Sequence, residues 1–139
     1  MNVSRILLLS FGLAVLGGVT ASAHHSAVQF DFTKSVSIKG VVKKFQAINP
    51  HMRVTLVVTD EKGTREIDFE GHSTNNMYRA GYRNQMIKYG DAITVFVAPL
   101  KSGAEGGYVT AAVTASGERF GVRSAAEQAA ERQRAEGKP

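Results

Sequence analysis

The sequence predicts an all-β domain with one short helix. Three observations lead there. Apolar residues recur at every second position through most segments between residues 36 and 113, the period of half-buried strands. Gly, Asn, Asp and Pro fall between those segments, where the chain must turn. Only the stretch after Glu70 changes period. Three strands, a short helix and a two-strand hairpin is the order of an OB-like five-stranded small barrel, a partly open Greek key.

The elements follow in order. Residues 24–33 predict an extended lead-in, with Val28, Phe30 and Phe32 alternating. Ser35 to Phe45 predicts a long first strand. Val36, Ile38 and Val42 share one of its faces, and Val41 and Phe45 the other, with the switch at Gly40. A glycine inside a strand marks a bulge or sharp bend, so one strand can serve two halves of a barrel. Asn49-Pro50 ends it, because Pro has no N–H to donate. His51 to Thr59 alternates, which places Met52, Val54, Leu56 and Val58 in the core and His51 and Arg53 outside. Asp60-Glu61-Lys62-Gly63 predicts a hairpin loop. Thr64 to Glu70 returns with Ile67 and Phe69 inward and the stripe Glu66, Asp68, Glu70 outward.

Ser73 or Thr74 caps a short helix through Asn75–Ala80, and Gly81 ends it. Asn84 to Tyr89 predicts a further helical turn. Ala92 to Leu100 is the next strand, with Ile93, Val95 and Val97 inward. A flexible loop, Lys101–Gly107, leads into Tyr108–Ala115, where Val109, Ala111 and Val113 alternate. Arg119-Phe120-Gly121-Val122 is a short extra segment. From Ser124 the tail is rich in Ala, Glu, Arg and Gln. Ser124 with Glu127 fits a capping box, but without an apolar stripe such a helix is marginal in isolation.

The first residues read as an export signal. Met1–Arg5 carries one positive charge, Ile6–Val19 is apolar and uncharged, and Ala21-Ser22-Ala23 is an A-x-A cleavage site. The run falls short of the ~20 apolar residues of a spanning helix. The expected organisation is a signal peptide over 1–23, an OB-like domain over 24–123 and a polar tail over 124–139. The protein would reside in the periplasm or outside the cell, with no stable membrane insertion after cleavage. Cleavage after Ala23 would make His24 the first residue, so an amine and an imidazole would share one residue.

Composition narrows the chemistry. The 139 residues are enough for one small domain, and hydrophobic residues at 43% with charged residues at 21% are ordinary for a globular chain. Zero Cys excludes disulfides, thiolate zinc sites, iron–sulfur clusters and Cys nucleophiles. The net charge of +5 would favour phosphate. Yet Lys39, Lys43, Lys44, Arg53, Arg79 and Arg83 are scattered and exposed aromatics are few, so no nucleic-acid partner is expected.

Several phrases stand together: Ala23-His24-His25-Ser26, Gly40-Val41-Val42, Asn49-Pro50-His51, Glu70-Gly71 and Gly90-Asp91. In these the sequence resembles the domain of unknown function 6152 family, small exported bacterial proteins. The likeness spans most of 23–120, and its specific parts are the A-H-H-S and N-P-H phrases. Members often carry Trp just before and just after N-P-H, where this sequence has Ala47 and Arg53. The resemblance implies export and supplies no activity.

The candidate chemistry therefore rests on the four histidines, His24, His25, His51 and His72. Imidazole nitrogen suits Cu²⁺ and other borderline divalent metals, and no thiolate competes. A processed His24 would chelate through its amine and ring, and His51 would add a third nitrogen. Alternatively His25 at position two would chelate with the amine and its own amide. The metal set is thus His24, His25 and His51, while His72 beside the helix start is assigned a capping or solvated role. No catalytic residue is assigned, because no G-x-S-x-G, H-E-x-x-H or P-loop occurs. The expected function is a small binding protein for copper or another divalent metal ion. The alternatives are a module for an oligosaccharide or other small ligand on the outer face, and a copper-dependent oxidative enzyme.

Overall fold

The computed structural model describes residues 27–122 and, in the tail, residues 128, 129, 132, 133 and 135–137. Among them lie β1 (Val36–Gln46), β2 (Arg53–Asp60), β3 (Gly63–Gly71), α1 (Thr74–Arg79), β4 (Ala92–Pro99), β5 (Gly107–Thr114) and β6 (Arg119–Gly121). The described residues are mostly β, with the short helix α1 between β3 and β4, as the alternation predicted. The expected short segment Arg119–Val122 supplies the sixth strand, paired to β5.

The strand order is β3-β2-β1-β4-β5-β6, and β3 also pairs with β5. The pairings therefore return to their start, β1–β2–β3–β5–β4–β1. All are antiparallel except β3–β5, which is parallel. β1 makes the cycle possible because it serves two partners. Residues 36–41 pair with β4 and residues 41–46 with β2, so the hand-over falls at Val41. Gly40 stands just before it. A Cβ there would lie 2.9 Å from the Val57 carbonyl oxygen and 3.0 Å from the Leu56 Cβ. Only a residue without a side chain lets β1 approach β2 this closely.

One buried cluster collects the inward side chains of all five strands of the cycle. It includes Val42, Met52, Val54, Leu56, Val58, Ile67, Phe69, Ile93, Val95, Val97 and Val109. Leu56 is 0% exposed, which matches the inward set expected for β2. Helix α1 closes over this core with Met77. Ser73 is its N-cap and accepts from the Asn76 N–H at 3.4 Å.

The structure corrects four local expectations. In β1 the face switch comes at Lys43, not at Gly40: the register with β2 slips between Val42 and Lys44. Val41 is consequently 44% exposed while Phe45 packs against the core, so these two lie on opposite faces. In β5 the register with β4 slips where Phe96 pairs with Ala111 but Val97 with Val109. The extra residue is Thr110: Val109 and Ala112 join the main core, Ala111 is fully buried outside that cluster, and Val113 of the expected set is only half-buried. Each bulge adds one residue on one strand and exchanges its two faces. Residues 84–89 form turns around a buried Ile87 instead of a helical turn. Finally, the lead-in is not extended throughout. Ala27–Gln29 turns, with the Phe30 N–H donating to the Ala27 carbonyl at 3.3 Å, and only Phe30 of the three expected apolar residues is buried.

Among the described residues, no helix is long and apolar enough to cross a membrane. The expected capping box Ser124/Glu127 lies outside the described residues.

Candidate functional site: His51, His72 and Tyr108

The end of the β2–β3 ladder is irregular, and the site grows from that irregularity. The register runs from Asp60 opposite Gly63 to Arg53 opposite Glu70. Beyond it the Gly71 N–H donates to the Met52 carbonyl at 3.0 Å. The Met52 N–H passes over Gly71 and donates to the His72 carbonyl at 2.9 Å. The bypassed Gly71 carbonyl accepts instead from Nδ1 of His51 at 3.0 Å. A carbonyl can only accept, so Nδ1 of His51 carries a proton, and the neutral ring in this place has its lone pair on Nε2. Gly71 is required here: a Cβ would lie 3.0 Å from both Met52 Sδ and the Val109 carbonyl oxygen.

Asn49 is tied to the same place. Its Oδ1 accepts from the Thr74 N–H at 3.1 Å, which anchors the Asn49-Pro50-His51 turn to the start of α1. Two of the phrases noted in the sequence, Asn49-Pro50-His51 and Glu70-Gly71, thus meet in space.

His72 stands beside His51 across the ladder end. Its Nδ1 lies 3.2 Å from the Tyr108 hydroxyl. Both imidazoles are close to perpendicular to the Tyr108 ring, with centroids 5.1 Å away for His72 and 6.2 Å for His51. Both histidines are half-buried. Burial, and then the nearby His51, hold the His72 imidazole below its usual pKa, which favours the neutral ring. Burial, and then the Glu70 carboxylate, push the Tyr108 phenol up, so it remains a hydroxyl. His72 also lines an open pocket of about 290 Å³ with Asn76 and Arg79.

The lead-in also reaches this cluster. The Asp31 N–H donates to the Pro99 carbonyl at 2.8 Å, and the Lys101 N–H to the Gln29 carbonyl at 2.9 Å. Phe30 is buried with Ala98 and Tyr108 in a small second core. The Phe30 and Phe32 rings sit 5.4 Å and 5.3 Å from that of Tyr108. Tyr108 therefore contacts both the lead-in and the two histidines.

Of the residues the sequence suggested, His51 is placed with a free Nε2. It is not simply on the outer face, since its ring is bonded to Gly71 and packed by Tyr108. His24 and His25 lie outside the described residues. His72 is not a cap, because Ser73 caps α1. Tyr108 went unnoticed in the sequence, being read only as a strand start. Among the described residues no group of three or more His, Cys, Asp or Glu is gathered in metal-ligand geometry.

A second feature lies on the outer face of β1–β3. An open groove of about 350 Å³ runs between Gln29 and Phe30 of the lead-in and Lys44, Gln46, Arg53, Thr55, Asp68 and Glu70. The acidic stripe expected on β3 is indeed outward, and it is engaged: Asp68 accepts from the Thr55 hydroxyl at 2.6 Å, and Glu66 pairs with Lys43 at 2.5 Å.

A strand cycle with a half-buried histidine pair against a tyrosine defines the class: a small β protein with an imidazole site and no assigned reaction. The profile of the family of unknown function DUF6152 matches residues 13–110, and the chain belongs to that family. No curated protein matches it.

Proposed function

We propose that this chain is an exported, single-domain binding protein, an OB-like five-stranded barrel over 24–123 that takes up a divalent metal ion, Cu²⁺ foremost. The ligands are His51 and, after cleavage behind Ala23, His24 and His25 at the chain start. One observation carries the reading. His51 spends Nδ1 on the Gly71 carbonyl, and so its deprotonated Nε2 is the oriented donor. Metal-bound imidazoles are held in this way, with the second nitrogen bonded to a carbonyl or carboxylate.

Two further observations support it. Phe30 of the lead-in packs on Tyr108, the residue that also contacts the His51 ring, and in sequence only Ser26 separates His25 from Ala27. The A-x-A phrase directly before His24 supports removal of residues 1–23. For the barrel, the support is the cycle of pairings, the long first strand shared by two partners, and the helix between β3 and β4.

The test begins with the intact mass of the exported protein, expected to match a chain starting at His24. Cu²⁺ titration of that protein is then compared with its N-terminally acetylated form, and with His51→Ala. Both changes should weaken binding sharply. Acetylation turns the free amine into an amide that ligates only after deprotonation. Equal affinity in all three would sink the metal reading.

The groove on β1–β3 favours a second reading, an oligosaccharide or other small polar ligand. Its lining of two cations, two carboxylates, Gln46 and Thr55 offers many hydrogen bonds at one place. Oligosaccharide binding by the metal-free protein, lost in Arg53→Ala, would support this alternative. Binding that survives that substitution would place the ligand elsewhere.

A further inference from the structure

The two histidines of the described chain are held through the same ring atom. Nδ1 of His51 is bonded to the Gly71 carbonyl at 3.0 Å, and Nδ1 of His72 is within 3.2 Å of the Tyr108 hydroxyl. A phenol oxygen can accept from the His72 Nδ1–H as the Gly71 carbonyl does from His51. In that tautomer both rings keep Nε2 as the free donor. The two residues are neighbours across the ladder end, where Met52 bonds to both Gly71 and His72. Both rings stand against one face-sharing residue, Tyr108. Neither ring has the surroundings of an idle surface histidine: each is half-buried and has a partner at Nδ1.

We propose that His51 and His72 together form a two-imidazole chelate for a borderline divalent cation, built into the fold itself, with Tyr108 as the positioning residue for His72. This rests on the metal-binding reading above and adds a ligand to it. It also reassigns the work. The folded domain supplies two nitrogens on rigid backbone, and the processed N-terminus adds its amine and ring to a site that already exists. A site half-built from strand ends is preorganised, because the hydrogen bonds at Nδ1 fix each ring before the metal arrives. Tyr108 connects the two halves, since Phe30 and Phe32 of the lead-in pack on the ring whose hydroxyl orients His72.

The experiment uses the exported protein and its N-terminally acetylated His24→Ala, His25→Ala form, each titrated with Cu²⁺ alone. Electron paramagnetic resonance reads the number of nitrogen ligands. The blocked form should still bind one Cu²⁺, with two imidazole nitrogens. In that background His51→Ala and His72→Gln should each weaken binding more than tenfold and reduce the nitrogen count. Tyr108→Phe, which keeps the ring packing and removes only the hydroxyl, should weaken it about 10-fold or more, the usual cost of losing a partner behind a ligand. His72→Gln keeps a polar side chain opposite Tyr108, and near-native melting will show that it folds. If His72→Gln leaves both affinity and nitrogen count unchanged while His51→Ala and the N-terminal block weaken binding, the chelate is wrong and the metal reading stands. If none of the changes matters, both fall.

Discussion

Nδ1 of His51 donates to the carbonyl of Gly71 across 3.0 Å, on a carbonyl that the regular β2–β3 ladder would have given to Met52. One skipped backbone bond thus fixes the tautomer of a side chain. The ladder needs Gly71 for this, because Met52 Sδ and the Val109 carbonyl oxygen occupy the space a Cβ would take.

Gly71→Ala should therefore act on two levels. Forcing a methyl into the strand end should destabilise by about 1–3 kcal/mol, as overpacking does. It should also release the His51 ring. Denaturant unfolding measures the first, and the ¹⁵N shifts of the His51 ring, which distinguish the two tautomers, measure the second. A stable variant with an unchanged His51 signal would show that Gly71 does not hold the ring.

His51→Ala should cost more than an exposed substitution and less than a core truncation. It loses one hydrogen bond, about 0.5–1.5 kcal/mol. Leu56→Ala, at a fully buried position, should cost about 2–5 kcal/mol. Val41→Ala, on the outer face after the hand-over in β1, should stay within about 0.5 kcal/mol. Melting the three variants side by side checks the order.

Phe30→Ala should loosen the lead-in without unfolding the strand cycle. Phe30 belongs to the small cluster with Ala98 and Tyr108 rather than to the main core. The amides of Asp31 and Lys101, which donate to Pro99 and Gln29, should lose protection in hydrogen exchange. Those of β2 should keep theirs. Equal loss in both would mean that the lead-in is part of the main cooperative unit.

Acid should weaken the hairpin end of the molecule. Arg65 donates to both Asp60 oxygens, at 2.7 Å and 3.0 Å, and its Nε to both Glu105 oxygens, at 2.7 Å and 2.8 Å. This fork ties the β2–β3 hairpin to the β4–β5 loop. Hydrogen bonds from Arg65, then the Lys62 N–H, lower the Asp60 carboxyl to about 2, and Arg65 likewise lowers Glu105. A carboxylate depressed in the fold stabilises above its unfolded pKa, and that contribution is lost as pH falls through the folded value. The melting temperature should thus decline between about pH 4 and pH 2. In Arg65→Met this part of the decline should be smaller, because the carboxyls then titrate near their ordinary values. Parallel pH profiles would remove Arg65 as the cause.

Much of this was legible in the chain. The clean alternation of Met52, Val54, Leu56 and Val58, and of Ile93, Val95 and Val97, placed their inward faces correctly, because a period of two leaves one choice. The short helix was legible too, with Ser73 or Thr74 as its cap, of which the fold uses Ser73. Val41, Phe45 and Val113 were misplaced, since bulges at Lys43 and Thr110 leave no mark in composition. They arise where two strands of different curvature must stay paired. His72 had a signal that went unread. Continuing the hairpin register from Asp60–Gly63 past Arg53–Glu70 leads to His51 beside His72. Tyr108 had none, because its strand is remote in sequence and meets β3 only through a parallel pairing.

The sequence by itself determined which residues prefer strands, which faces carry apolar side chains, where turns fall and that imidazole is the available nitrogen donor for a borderline metal. These are local properties, decided by side-chain period and backbone freedom. Only the tertiary structure decided that β3 pairs with β5 as well as β2, that a ladder bond is skipped at Gly71, and that His51, His72 and the lead-in share one tyrosine. Those follow from closing a strand cycle, in which each strand's last residues must meet partners that no local pattern names.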